Sequence, residues 1–146
     1  MTLRIREDAA RRIRAHAAET YPDECCGALL GRGEEAREIL AVFPLRNRQE
    51  RSPRNRFLLA AEDVRRAERA AREQSLELLG WYHSHPDHPP RPSEYDREQA
   101  TWPWFSYVIV AIERGRPGQM TSWRLAEDRS RFLPEEIEVS SAQPAD

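Results

Sequence analysis

The chain has 146 residues, which is the size of one domain and too short for two comfortable hydrophobic cores. Hydrophobic residues make up 39% of it and charged residues 33%, so the composition predicts a globular domain and excludes a disordered chain. The 23 basic and 25 acidic side chains leave a net charge of −2, which gives no reason to expect binding to nucleic acid.

The apolar runs and the cysteines indicate a cytoplasmic protein. The longest apolar run, residues 107–112, is far below the roughly 20 residues that a membrane span needs, and residues 1–6 lack the apolar core of a signal peptide. The only cysteines, Cys25 and Cys26, are neighbours, a spacing that rarely forms a disulfide and that does not match a Cys-x-x-Cys zinc site. We therefore expect a reducing compartment and no membrane partner.

Hydrophobic periodicity predicts three helices among several strands. The expected helices cover 7–20, with Ile5 at the start of its apolar stripe, 61–74 and 93–101; the expected strands cover 25–30, 36–45, 56–59, 76–83, 107–112, 121–125 and 137–139. Four prolines make 86–92 an extended loop. This order predicts one α/β or α+β domain on a single mixed sheet at 1–139, followed by a flexible polar tail at 140–146.

Three of the four histidines, His83, His85 and His88, fall within six residues, directly after the strand that ends at Tyr82. Residues i and i+2 of a strand project from the same face, so His83 and His85 can direct their rings at one point. Histidine is a favoured ligand of Zn²⁺, and two histidines leave a tetrahedral site half filled.

The third ligand is expected from the helix start that follows the proline-rich loop. That loop is about long enough to turn the chain back, and Ser93 and Asp96 lie three apart, on adjacent surface positions of a helix. Two histidines and one aspartate would leave the fourth position for water, which distinguishes catalytic zinc sites from closed structural ones.

Residues 83–86, His-Ser-His-Pro, followed by Ser93 and Asp96 resemble the JAMM signature of the MPN+ (Mov34/PAD-1) metallopeptidases: His-x-His-Pro, a spacer, then Ser-x-x-Asp. Residues 22–27, which contain Glu24, resemble the Pro-x-Glu-x-Cys-Gly segment of the compact bacterial members. The resemblance covers the whole chain in the order of its elements, and no motif position departs from it.

The resemblance implies a cytidine-deaminase-like MPN/JAMM fold, with a single mixed, mainly antiparallel sheet flanked by three helices. It implies Zn²⁺ bound by His83, His85 and Asp96, a zinc-activated water with Glu24 as general acid/base, and a Ser93 hydroxyl that helps to hold the oxyanion. The implied substrate is the C-terminal tail of a ubiquitin-like or sulfur-carrier protein, cut at a peptide or isopeptide bond after Gly-Gly. The short chain favours sulfur carriers, because it leaves little room for insertions that grip ubiquitin.

Several of these residues also have ordinary structural interpretations. Ser93 fits a capping-box helix start, whose demand for the hydroxyl oxygen competes with an oxyanion role. Glu24 follows Asp23, and an exposed acidic pair is the simple alternative. His88 is interpreted as a loop histidine and Cys26 as a packed strand residue.

The sequence leaves open the role of two tryptophans, the alternative functions and the oligomeric state. Trp102 and Trp104 fit either the core or a groove lining, and their contact with substrate is undecided. A catalytically silent MPN scaffold or protein-binding module is the alternative function, disfavoured because every motif residue is present. A deaminase-type zinc hydrolase is disfavoured because the chain lacks the H-x-E and C-x-x-C pattern. No oligomeric state is predicted.

Overall fold

The computed structural model describes residues 1–33, 36–49, 59–100 and 102–141. Within these ranges the elements are β1 Thr2–Arg6, α1 Glu7–Thr20, β2 Cys26–Arg32, β3 Arg37–Leu45, α2 Ala61–Glu73, β4 Glu77–Pro86, α3 Glu94–Gln99, β5 Ser106–Glu113, β6 Arg116–Leu125 and β7 Phe132–Ser140. The strand expected at 56–59, apart from its last residue, and the tail residues 142–146 lie outside the described residues.

The strands form one sheet that closes on itself in the order β1-β3-β2-β4-β5-β6-β7, with β7 pairing back to β1. The pairs β1/β3, β1/β7 and β4/β5 are parallel and the other four are antiparallel. The prediction of a mixed, mainly antiparallel sheet with three helices is therefore confirmed. Closure of the sheet was not predicted.

Closure depends on β1, where the sequence interpretation was wrong. Leu3 and Ile5 are fully buried while Arg4 between them is exposed, which is the two-residue period of a strand. Ile5 therefore belongs to β1, not to the stripe of α1. The strand is short and both its partners, β3 and β7, are distant in sequence, so local periodicity carries little signal for it.

The two long helices cover opposite faces of the sheet. Alternate strand residues join two separate core clusters. The first cluster combines α1 with one face: Ala9, Ile13, Ala17, Leu29, Tyr82 and Val108. The second combines α2 with the other face: Ala28, Ala67, Ala71, Trp81 and Tyr107. Among the described residues, no helix is long and apolar enough to cross a membrane.

β4 runs further than predicted, to Pro86 instead of 83. Its last residues pair in parallel with β5, His83 opposite Ile109 and His85 opposite Ala111. Both histidines therefore lie within a hydrogen-bonded strand. They have the same parity as Trp81, which places them on the face that α2 covers.

The close approach of β4 and β5 leads to a stability prediction. A Cβ at Gly80 would lie 1.9 Å from the carbonyl oxygen of Ser106, a backbone atom that cannot turn aside. Gly80→Ala should lower the free energy of unfolding by about 1–3 kcal/mol or more, measured by denaturant titration. In the control Gly118→Ala, the nearest atom would be the Ala111 oxygen at 3.8 Å, so the change should stay near zero. Equal losses in both variants would contradict this account.

Candidate metal centre

Three side-chain atoms converge where β4 meets the start of α3. The Nε2 atoms of His83 and His85 are 3.1 Å apart, and Asp96 Oδ2 lies 3.2 Å from the first and 3.1 Å from the second. A tetrahedral zinc ion with bonds of about 2.0–2.1 Å requires ligand atoms about 3.3 Å apart, so the spacing fits. Within the described ranges, this is the one such group of three potential ligands.

The tautomer of His85 points to a cation between these atoms. Its Nδ1 lies 2.8 Å from the carbonyl oxygen of Pro89, which can only accept, so Nδ1 carries the hydrogen. A neutral ring then leaves a lone pair on Nε2, directed at the carboxylate oxygen of Asp96. Two facing lone pairs repel each other unless a proton or a metal ion lies between them. A hydrogen bond from the other ring nitrogen to a backbone carbonyl, like that from His85 Nδ1 to Pro89, is the usual support of a metal-bound histidine.

The protonation states of the group also suit a metal ion. Complete burial lowers the pKa of His83, which favours neutral imidazole. Burial disfavours ionised Asp96, but its interactions with His83, with His85 and with the backbone N–H of Ser93 outweigh this and hold the pKa of Asp96 well below its usual range. Neutral imidazole and ionised carboxylate are the forms that bind metals.

Ser93 begins α3 in a capping box. Its Oγ accepts a hydrogen bond from the Asp96 N–H at 3.0 Å, and its own N–H donates to Asp96 Oδ2 at 2.9 Å. The capping interpretation is confirmed, and the cap also orients the Asp96 carboxylate. A hydroxyl has two acceptor lone pairs and one donor hydrogen, so capping leaves the hydrogen for another acceptor. The competition expected from the sequence therefore disappears.

Glu24 lies between α1 and β2 and is 2% exposed, which excludes the simple alternative of an exposed acidic pair. Its Oε1 has no hydrogen-bond partner among the described residues. Burial, and then the charge of Asp96, raise the pKa of Glu24 to about 9. Glu24 lines one cleft with His85 and Ser93, so a carboxyl group, a potential ligand and a hydroxyl share the same space.

A second cavity, of about 510 Å³, is lined in part by His83 and Asp96. Its lining is mainly aromatic and aliphatic and includes Trp81, Trp102, Tyr107 and Phe132. Trp102 therefore lines this apolar cavity, whereas Trp104 is 44% exposed and does not. Trp81 was not predicted as a residue of the site, although its position two residues before His83 places it on the same strand face.

Burial also bears on the interpretations of Cys26 and His88. Cys26 is fully buried in β2, as a packed strand residue should be. His88 is exposed on the loop after β4 and lies outside the three-residue group.

Comparison with known proteins identifies the family of the chain. Residues 6–126 match the family described as prokaryotic homologs of the JAB domain. The chain belongs to this family. This JAB-domain protein is 34% identical to a desampylase of Haloferax volcanii over 93% of its own length and 96% of that protein's. It is also 34% identical to a CysO-cysteine peptidase of Mycobacterium tuberculosis, over 84% and 82% of the two chains.

Among solved structures, a JAB1/MPN domain protein from Archaeoglobus fulgidus shares the fold. It superposes with a TM-score of 0.54 and covers 93% of this chain and 96% of its own, at 18% identity. The MPN/JAMM fold and the family membership inferred from the motif are therefore confirmed.

Burial of Glu24 should make the metal-free protein pH-sensitive. Its pKa is raised from 4.5 to about 9, so between these values the folded chain keeps a proton that the unfolded chain releases, and stability falls as pH rises. The slope from this group is at most about 1.4 kcal/mol per pH unit. In urea titrations, Glu24→Gln should therefore exceed wild type in stability at about pH 8, with a smaller difference at about pH 5. A pH-independent difference would argue against this cause.

Proposed function

We propose that this protein is a zinc-dependent metallopeptidase that hydrolyses the peptide or isopeptide bond after the C-terminal Gly-Gly of a ubiquitin-like or sulfur-carrier protein. The observation that carries the proposal is the convergence of His83, His85 and Asp96 beside Glu24. The names of the relatives, a desampylase and a CysO-cysteine peptidase, support the substrate class. The free, buried cysteines suit a cytoplasmic location.

In this proposal His83, His85 and Asp96 hold the metal. When bound there, zinc supplies Lewis-acid activation of a water molecule and of the scissile carbonyl. A cation bound beside Glu24 would favour its ionised form. Ionised Glu24 accepts a proton from the attacking water as the oxygen–carbon bond forms, and donates it to the leaving nitrogen as the carbon–nitrogen bond breaks. The free hydroxyl hydrogen of Ser93 is donated to the carbonyl oxygen as it becomes negative.

Burial of the site favours a substrate that has no side chains next to the scissile bond. Glu24 and His83 are each 2% exposed, and His85 and Asp96 are each 7% exposed. A chain reaches such a site only where its own side chains are absent, as in two consecutive glycines. A catalytically silent scaffold has no use for a buried carboxyl group with an oxygen that no described group satisfies, because such a group costs folding free energy.

The test is cleavage of a ubiquitin-fold sulfur carrier with a C-terminal extension after Gly-Gly, by zinc-loaded protein. Glu24→Gln should lower kcat by about 100-fold or more with unchanged zinc content, because proton transfer is lost. Ser93→Gly removes the hydroxyl at little cost to the cap and should lower kcat by about 100-fold, whereas Ser93→Thr should keep most activity. Mass spectrometry of the released product measures each rate.

Asp23→Asn is the matched control, since Asp23 neighbours Glu24 but lies outside the cleft that Glu24 lines. This variant should cleave at close to the wild-type rate. Zinc-loaded wild type that leaves the carrier intact would refute the peptidase, and a fully active Glu24→Gln would refute the proton-transfer role alone.

A further inference from the structure

Two spaces of different character adjoin the three potential ligands. One is the apolar cavity that His83 and Asp96 line. The other is a cleft of about 420 Å³, called here the Glu24 cleft, which is lined by Glu24, His85, His88, Pro89, Arg91 and Ser93. Among the described residues the two spaces share no lining residue, so parts of a substrate that enter different spaces meet different chemistry.

The position of Glu24 assigns the leaving group to one of these spaces. Within the proposed function, on which this inference rests, Glu24 passes a proton to the leaving nitrogen and must lie next to it. Glu24 lines only the second space. The leaving group therefore occupies the Glu24 cleft, and the acyl side of the substrate lies toward the apolar cavity.

The Glu24 cleft carries a cation that has no ion-pair partner among the described residues. Arg91 is exposed and forms no ion pair among the described residues. The acidic neighbours in sequence are already bonded elsewhere, Asp87 to the Tyr21 hydroxyl at 2.8 Å and Glu94 to Arg97. His88, also exposed, lines the same cleft. The guanidinium of Arg91 is thus available to a negatively charged group of a substrate.

The backbone of Arg91 is held in place by the loop around it. The Pro89 carbonyl accepts hydrogen bonds from His85 Nδ1 and from the Arg91 N–H, both at 2.8 Å, so the Arg91 nitrogen lies within two hydrogen-bond lengths of the His85 ring. The Pro90 carbonyl accepts from Thr121 Oγ1 at 2.6 Å. With proline on both sides, the chain at Arg91 has little freedom. Its side chain therefore starts from a fixed point beside the potential ligands.

We propose that Arg91 binds the α-carboxylate of a single amino acid released from the carrier, and so selects linear Gly-Gly–amino acid bonds over lysine isopeptide bonds. In a C-terminal amino acid the carboxylate is only two bonds from the leaving nitrogen, close to Glu24. The planar guanidinium fork binds a carboxylate through two parallel hydrogen bonds. In an isopeptide bond an uncharged aliphatic chain follows the leaving nitrogen instead, and Arg91 gains no partner.

The experiment compares three forms of one sulfur carrier: Gly-Gly followed by alanine as the free acid, the same alanine as its amide, and Gly-Gly joined to the ε-amine of N-acetyl-lysine methylamide. Wild type should cleave the acid with a kcat/KM about tenfold above the amide and the isopeptide. Arg91→Ala should cleave the acid only as well as the amide, and cleave the amide at the wild-type rate. Arg69→Ala, an exposed arginine of α2 outside both spaces, should keep the preference.

Two results would overturn the assignment of Arg91. One is a wild type that cleaves the acid and the amide, or the acid and the isopeptide, equally well. The other is an Arg91→Ala variant that keeps the tenfold preference or loses activity equally on all three forms.

A binding measurement separates this inference from the proposed function. Zinc-loaded Glu24→Gln is titrated with the acid and amide carriers by calorimetry, where turnover plays no part. The acid should bind about tenfold more tightly, and the difference should vanish in Glu24→Gln with Arg91→Ala. If wild type cleaves nothing but this difference is present, the peptidase fails and the carboxylate site stands. Equal binding of both carriers refutes the carboxylate site whatever the activity.

Discussion

The hydrogen bond between His85 Nδ1 and the Pro89 carbonyl connects the rigid strand β4 to the loop that returns the chain to it. It sets the tautomer of His85, and with it the lone pair that faces Asp96. The capping box at Ser93 holds Asp96 from the other direction. Parallel pairing with β5 then fixes the backbone of both histidines, so the protein itself holds the three potential ligand atoms together.

At Glu24 this arrangement lowers the stability of the folded chain. Glu24 is buried with an oxygen that no described group satisfies, and burial favours its protonated form. A carboxyl group in such a place costs folding free energy. The fold tolerates this cost because it has two hydrophobic core clusters, one between α1 and the sheet and one between α2 and the sheet.

Much of this could be predicted from the sequence, because the signals are local. Periodicity predicted the helix at 7–20, and α1 confirms both of its ends. The motif predicted that Asp96 lies close to His83 and His85, and the structure brings the three together. What was missed depends on contacts between distant segments. β1 pairs only with strands far along the chain, and β4 extends to Pro86 because β5 pairs with it. Motif spacing also carries no information on the apolar cavity, whose aromatic lining comes from several elements.

Zinc binding by His83, His85 and Asp96 is tested most directly by X-ray absorption at the zinc edge. Zinc-loaded wild type should contain one zinc per chain, with only nitrogen and oxygen neighbours at about 2.0–2.1 Å and imidazole scattering from two histidines. His85→Ala should lose the metal, whereas His88→Ala should keep it. A wild type without stoichiometric zinc, or a sulfur neighbour at about 2.3 Å from Cys25 or Cys26, would contradict the account.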